Sequence, residues 1–128
     1  MPEADRTAPG GIDAAARPLD ALEATIRERA ASPSEKSYTS RLLEGELQVL
    51  AGKVIEEASE LVEAADEPED FGRQHFLYEA GDLLYHVMVL LRWRGVDLAE
   101  VEAELARRFG VSGLDEKASR KQAEGGDD

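Results

Sequence analysis

The feature that most constrains the fold is a pair of long segments in which apolar residues recur at helical spacing. The first segment runs from about residue 40 to residue 65, with apolar residues at Leu43, Leu47, Leu50, Val54, Ala58, Leu61 and Ala65. The second runs from about residue 70 to residue 93, and its predicted inward residues are Phe76, Ala80, Leu83, Leu84, Val87, Met88 and Leu91. Steps of three or four residues place one apolar stripe on each helix. Because no segment alternates as a strand does, the sequence predicts an all-α fold.

Shorter helices are predicted on either side of these two segments. Pro18 suits the first position of a helix, and a loop is expected over residues 31–39. Gly95 suits the C-terminal end of the second long helix. Asp97 would then cap a last helix, with Glu100 completing a capping box. We therefore expect a bundle of four to five helices.

The length and the polar ends of the chain predict a single domain. The chain has 128 residues, which is short for a large core. We expect a disordered N-terminal extension over residues 1–17, a helical domain over residues 18–110 and a polar C-terminal tail over residues 111–128. One short chain would leave much of its two long helices uncovered, so we expect a second copy to complete the bundle.

Charge and composition exclude several classes of function. The net charge of -13 argues against binding to nucleic acid or to an anionic membrane. The absence of cysteine excludes disulfides, thiolate catalysis and zinc-finger sites. The N-terminus lacks the apolar core of a signal peptide, and no apolar run is long enough to cross a bilayer. These features predict a cytoplasmic protein.

Two pairs of acidic residues lie inside the long helical segments. Glu57 and Glu60 are three residues apart in the first segment, as are Glu79 and Asp82 in the second. Each pair therefore projects from one face of its helix, where like charges repel. An antiparallel arrangement of the helices would bring the four carboxylates together around a cation. Carboxylates without thiols favour a hard cation, and we predict one or two Mg²⁺ ions.

A solvated acidic face is the competing interpretation of these glutamates. Charge runs usually indicate exposure, and this chain is rich in acidic residues. Asp82, however, lies in the sequence AGDLLYHVMVLL at residues 80–91, which is otherwise largely apolar. A carboxylate in such a run needs a partner or a metal ion. This context favours the metal site.

The two histidines argue against a di-iron centre. Di-iron helical bundles use Glu-x-x-His pairs, whereas the residues three positions before His75 and His86 are Gly72 and Leu83. We expect His75 at the surface. His86 is expected either to be partly buried with its hydrogen bonds satisfied or to contact a substrate.

The acid pattern resembles that of a known superfamily. Glu-Glu-x-x-Glu at residues 56–60 followed by Glu-x-x-Asp at residues 79–82 is similar to the MazG-like all-α nucleoside triphosphate pyrophosphatases. Further stretches resemble the phosphoribosyl-ATP pyrophosphatase family within it, and they are SYTSRL at 37–42, KVIEE at 53–57, DLLYHVMVLL at 82–91 and LARR at 105–108. The resemblance implies a MazG-like helical bundle completed by dimerisation. Ile55 departs from the usual glycine of the family, and Gln48 and Val49 replace the expected basic residues.

The resemblance also implies an activity and a set of site residues. The activity is hydrolysis of 1-(5-phosphoribosyl)-ATP to 1-(5-phosphoribosyl)-AMP and pyrophosphate, the second step of histidine biosynthesis. Mg²⁺ would be held by the four carboxylates already named, Glu57, Glu60, Glu79 and Asp82. Glu56 and Glu57 would be the catalytic pair, with Glu56 binding a second ion or orienting the attacking water.

Candidate substrate contacts lie near the acid pattern. They are Lys53, Tyr38, Lys36 and His86. Lys53 either contacts phosphate or forms a salt bridge to Glu57. Two other functions stay open: a house-cleaning pyrophosphatase acting on another nucleoside triphosphate, which the missing basic residues would fit, and a helical interaction module without activity.

Overall fold

The computed structural model describes residues 17–109, which form five helices. In chain order they are α1 (Pro18–Ala31), α2 (Tyr38–Glu44), α3 (Leu47–Ala65), α4 (Glu69–Arg94) and α5 (Leu98–Phe109). The described part of the chain contains no strand, so the predicted all-α class is confirmed. The predicted disordered extension, apart from Arg17, and the predicted polar tail lie outside the described residues. No helix within residues 17–109 combines the length and apolar character needed to cross a membrane.

Helices α3 and α4 form an antiparallel hairpin that makes the main packing contact of the fold. A short turn joins them, and Gly72 on the first turn of α4 explains how it can be so tight. A Cβ atom on Gly72 would lie 2.4 Å from the carbonyl oxygen of Glu67 and 2.8 Å from its Cβ atom. Only glycine fits at this approach without a shift of the backbone. The hairpin therefore places the two long segments side by side in opposite directions, so that the end of the first lies next to the start of the second.

Helices α1 and α2 pack on α4 and on each other. The prediction of one continuous helix from about residue 40 to residue 65 is wrong. Ser37 caps α2 earlier, because its side chain accepts the Ser40 N–H at 3.0 Å. The helix ends where Gly45 takes an extended conformation, and glycine is a poor helix former. Ser40 Oγ in turn donates to the Arg29 carbonyl at 3.1 Å, which ties α2 to the end of α1.

The core lies between the hairpin and helices α1 and α2. Its buried apolar residues are Ile26, Leu42, Leu50, Ala64, Tyr85, Met88 and Val89. Phe76 and Leu84 were predicted to face inward, and this is wrong, since they are 37% and 49% exposed. Leu47, on the apolar stripe of the first segment, is also 42% exposed. Helices α1 and α2 cover only part of the hairpin, and these side chains lie on the part that they leave open.

The two helix-end predictions near residue 95 are confirmed. Helix α4 ends at Gly95, whose φ of 80° lies in the left-handed region. The backbone N–H of Asp97 donates to Glu100 Oε2 at 3.0 Å, as the predicted capping box requires. Helix α5 therefore begins where the sequence places it.

Candidate metal centre

Three buried carboxylates meet between α3 and α4. Glu57 on α3 and the pair Glu79 and Asp82 on α4 each offer one oxygen, and these oxygens all lie within 4.8 Å of one another. The spacing of three residues puts the α4 pair on one face, and the antiparallel hairpin brings that face against α3. The structure thus joins three of the four predicted ligands.

The electrostatics of this cluster favour a bound cation. Burial first, then the contact with the Glu79 carboxyl and the charge of Asp82, together raise the pKa of Glu57 from its ordinary value of 4.5 to about 7. Glu57 Oε2 and Glu79 Oε1 are buried and, within the described residues, accept no hydrogen bond. Buried acceptors without donors are costly, and a cation would satisfy them. The three oxygens suit a hard ion such as Mg²⁺.

Glu60 and Glu56 flank this triad rather than belonging to it. Glu60 is half-buried, and its pKa is raised first by burial and then by the charge of Glu79. Glu56 is exposed, and its Oε1 lies 3.5 Å from Lys53 Nζ. The predicted salt bridge of Lys53 to Glu57 is therefore corrected, because the pair forms with Glu56 one residue earlier. Of the two flanking acids, Glu60 is the one whose carboxyl interacts with a member of the triad, Glu79.

Tyr38 is held at the edge of the cluster by His86. The Tyr38 hydroxyl lies 3.1 Å from His86 Nε2, and His86 Nδ1 lies 3.0 Å from the Asp82 carbonyl oxygen. A carbonyl can only accept, so Nδ1 carries a hydrogen, and in the neutral ring Nε2 accepts from Tyr38. Burial raises the pKa of Tyr38, although the charge of Lys53 lowers it, so the phenol stays protonated at neutral pH.

The burial of His86 bears on its predicted contact with a substrate. The residue is 0% exposed, and its ring packs edge-on against Tyr85 with 5.0 Å between centroids. The structure places it behind Tyr38, where it orients that hydroxyl. Contact with a substrate through the imidazole itself stays a prediction.

The remaining predicted substrate contact, Lys36, lies just before α2, and a second basic residue, Arg41, lies on that helix. Lys36 is exposed in the turn that precedes the helix. Arg41 donates to the Glu35 carbonyl at 2.9 Å, and its guanidinium carbon lies 6.0 Å from the centroid of the Tyr38 ring. This turn therefore carries positive charge beside Tyr38.

Comparison with known families decides the membership of the chain. Residues 19–109 match the family described as phosphoribosyl-ATP pyrophosphohydrolase. This range includes residues of all five helices. The chain belongs to this family.

Individual relatives agree with the family match. The chain is 61% identical over 103 residues to the phosphoribosyl-ATP pyrophosphatase of Rhodopirellula baltica, covering 80% of this chain and 86% of the relative. It is 51% identical over 104 residues to phosphoribosyl-ATP pyrophosphatase 1 of Rhodopseudomonas palustris, covering 81% and 94%. It is 44% identical over 107 residues to the phosphoribosyl-ATP pyrophosphatase of Pelobacter propionicus, covering 80% and 92%.

One residue of this family member's site escaped the sequence prediction. His75 lies at the surface as predicted, with 38% of its side chain exposed, but its two contacts were not predicted. Its Nε2 lies 3.1 Å from Glu79 Oε2 and its Nδ1 lies 2.8 Å from Glu67 Oε1. The hydrogen bond to Glu67 is the main cause that raises the pKa of His75. Because His75 lies four residues before Glu79 on the same helix, the contact between these two residues could have been predicted from the sequence. The second contact depends on the shape of the turn, which the sequence pattern does not give.

Proposed function

We propose that the chain hydrolyses 1-(5-phosphoribosyl)-ATP to 1-(5-phosphoribosyl)-AMP and pyrophosphate. Membership of the phosphoribosyl-ATP pyrophosphohydrolase family and the names of its relatives support this activity. The observation that carries the proposal at the level of the site is the buried triad of carboxylates, in which Glu57 Oε2 and Glu79 Oε1 accept no hydrogen bond from the described residues and fit a divalent cation. In the reaction, water adds across the bond between the α- and β-phosphates. One product keeps the α-phosphate, and the other is pyrophosphate.

Glu57, Glu79 and Asp82 would hold Mg²⁺, and Glu60, whose carboxyl interacts with Glu79, is the candidate for a fourth ligand. When bound, the ion neutralises phosphate charge and lowers the pKa of coordinated water. The chain itself has a net charge of -13, so a triphosphate needs such a cation to approach the acidic site. The protein's contribution is to hold three ligands on two packed helices before the substrate arrives.

Residues around the triad would position the substrate and the water. Glu56 is exposed beside Glu57 and is the candidate for orienting the attacking water. Lys53 is paired only weakly with Glu56 at 3.5 Å, so its ammonium can turn to a phosphate oxygen. The protonated hydroxyl of Tyr38 is hydrogen-bonded to His86. It can donate to a phosphate only if this hydrogen bond breaks. Lys36 would add positive charge from the turn before α2.

We also propose that two copies complete the bundle in the cytoplasm. Helices α3 and α4 expose large apolar residues within the described part of the chain, and these are Leu47, Val49, Ile55, Val62, Phe71, Phe76, Leu77, Tyr78, Leu84 and Trp93. A surface of this kind is unusual for a monomer and is typical of helices that pack on a second copy. Light scattering after size-exclusion chromatography should give the mass of a dimer, and a monomer at micromolar concentration would refute this arrangement.

A substrate panel tests the activity against its alternatives. We expect pyrophosphate release from phosphoribosyl-ATP with Mg²⁺ and little from dCTP or dUTP. The reverse preference would instead support a house-cleaning pyrophosphatase. No turnover, together with no rise in melting temperature on adding Mg²⁺, would support an interaction module without activity. Glu57→Gln removes a proposed metal ligand and should abolish this turnover. Glu63→Gln, on the exposed face of α3, is its matched control and should keep full activity.

A further inference from the structure

His75 joins the carboxylate triad to the turn between α3 and α4. Its Nε2 lies 3.1 Å from Glu79 Oε2, and its Nδ1 lies 2.8 Å from Glu67 Oε1. Carboxylates accept hydrogen bonds, so the imidazole donates from both nitrogens in this arrangement. One ring thus spans a residue of the turn and a residue of the triad.

The turn gives this connection a fixed end. The backbone of Glu67 is packed so closely against Gly72 that a Cβ atom there would overlap its carbonyl oxygen at 2.4 Å. The Gly72 N–H also donates to the Pro68 carbonyl at 3.2 Å, which closes the first turn of α4 on the same segment. The backbone and Cβ of Glu67 are therefore fixed by packing, and its carboxylate reaches His75 from this fixed position.

The two oxygens of Glu79 have different surroundings. Oε2 is bonded to His75, whereas Oε1 is buried and, among the described residues, accepts no hydrogen bond. Holding Oε2 fixes the rotation of the carboxylate and leaves Oε1 as the oxygen available to a ligand. Hydrogen bonds of this kind orient metal-binding carboxylates in proteins.

We propose that His75 is a positioning residue that, anchored by Glu67, fixes Glu79 for a divalent cation at the triad. The inference rests on the proposed function, because that function makes Glu79 a ligand. It assigns to His75 no contact with substrate and no transfer of a proton. Its effect passes through Glu79 and should therefore appear in the affinity for the ion.

Two amide replacements separate the two hydrogen bonds. In His75→Gln the side-chain N–H₂ takes the place of Nε2 and can still donate to Glu79. In His75→Asn the N–H₂ takes the place of Nδ1, so that it can reach Glu67 but not Glu79. His75→Ala removes both bonds. Gln74→Ala, at the neighbouring exposed position of α4, is the matched control.

The test is titration of each metal-free full-length protein with Mg²⁺ alone by calorimetry, with circular dichroism as the check on folding. We expect His75→Ala and His75→Asn to bind Mg²⁺ about tenfold more weakly or worse, as loss of an outer hydrogen bond to a ligand does. We expect His75→Gln to stay within about threefold of the wild type, because it keeps the donor to Glu79. The kcat of each folded variant at saturating Mg²⁺ should recover towards the wild-type value.

The outcomes distinguish this inference from the proposed function. If the wild type binds Mg²⁺ and hydrolyses phosphoribosyl-ATP but His75→Ala binds the ion equally well or more tightly, the positioning role is wrong and the activity stands. If His75→Gln loses as much affinity as His75→Asn, the bond to Glu79 is not the cause and the inference also fails. A wild type that binds no Mg²⁺ would overturn the metal site and the inference together.

Discussion

Replacing Glu57 by glutamine should make the metal-free protein more stable above neutral pH while it abolishes turnover. Glu57 is 7% exposed and lies against two other carboxylates, so its ionised form is disfavoured in the folded state. Glutamine has nearly the same shape, cannot ionise and can donate to Glu79. The substitution removes a repulsive charge and a metal ligand at the same time, so stability rises while activity is lost.

The shift in the pKa of Glu57 sets the magnitude. A rise from 4.5 to about 7 means that ionisation costs the folded state about 3 kcal/mol relative to the unfolded chain. The folded state holds the proton more tightly, so this cost is absent below the unfolded pKa of 4.5. It grows as pH rises from there and is complete above about 7. Glu57→Gln should thus gain up to about 3 kcal/mol at about pH 8 and little at about pH 4.

Urea denaturation in the presence of EDTA measures this difference directly. The wild type and Glu57→Gln are compared at about pH 8 and about pH 5 at one fixed protein concentration, because an oligomer's stability depends on concentration. Glu63→Gln is the control and should follow the wild type at both pH values. A variant that is no more stable than the wild type at the higher pH, or whose gain is the same at both, would refute the account of the buried carboxylates.

Three further substitutions test other parts of the account. Asp82→Asn should abolish Mg²⁺-dependent pyrophosphate release with unchanged circular dichroism, since it removes a ligand charge and keeps the shape; wild-type activity would break the assignment. Lys53→Ala should raise the KM for phosphoribosyl-ATP several-fold and change the free energy of unfolding by less than about 1 kcal/mol, because its pair with Glu56 is exposed; an unchanged KM would exclude a phosphate contact. Gly72→Ala should cost about 1–3 kcal/mol in urea denaturation, because its Cβ would overlap the Glu67 backbone; a neutral effect would mean that the turn is not tightly packed.

The fold could be predicted where the sequence pattern is local and repeated. The helical spacing of apolar residues placed α1, α4 and the C-terminal end of α3, and α4 was expected from about residue 70 to residue 93 against an observed Glu69–Arg94. The break at Gly45 was missed because Leu43 and Leu47 keep helical spacing across it, so the apolar pattern shows no interruption there. Exposure of Leu47 and Phe76 was missed because a periodic stripe shows which face is apolar and not what covers it.

The site could be predicted as far as residue spacing carries information. Glu79 and Asp82 share a face of one helix by their spacing of three, and Glu57 joins them through the hairpin. The partner of Lys53 depends on how side chains turn, which spacing does not give. The burial of His86 was one of the two expected alternatives, since the residue lies in an apolar run. The contact of Glu67 with His75 could not be predicted from the sequence, because it depends on how closely the turn packs against Gly72.

The most direct test of the central claim is pyrophosphate release from phosphoribosyl-ATP by the wild-type protein, measured with Mg²⁺ and with EDTA. The account predicts turnover with Mg²⁺, its loss in EDTA and its recovery when Mg²⁺ is added back. Turnover that persists in EDTA would contradict the role given to the three carboxylates. A folded protein that binds Mg²⁺ but leaves phosphoribosyl-ATP intact would contradict the proposed substrate.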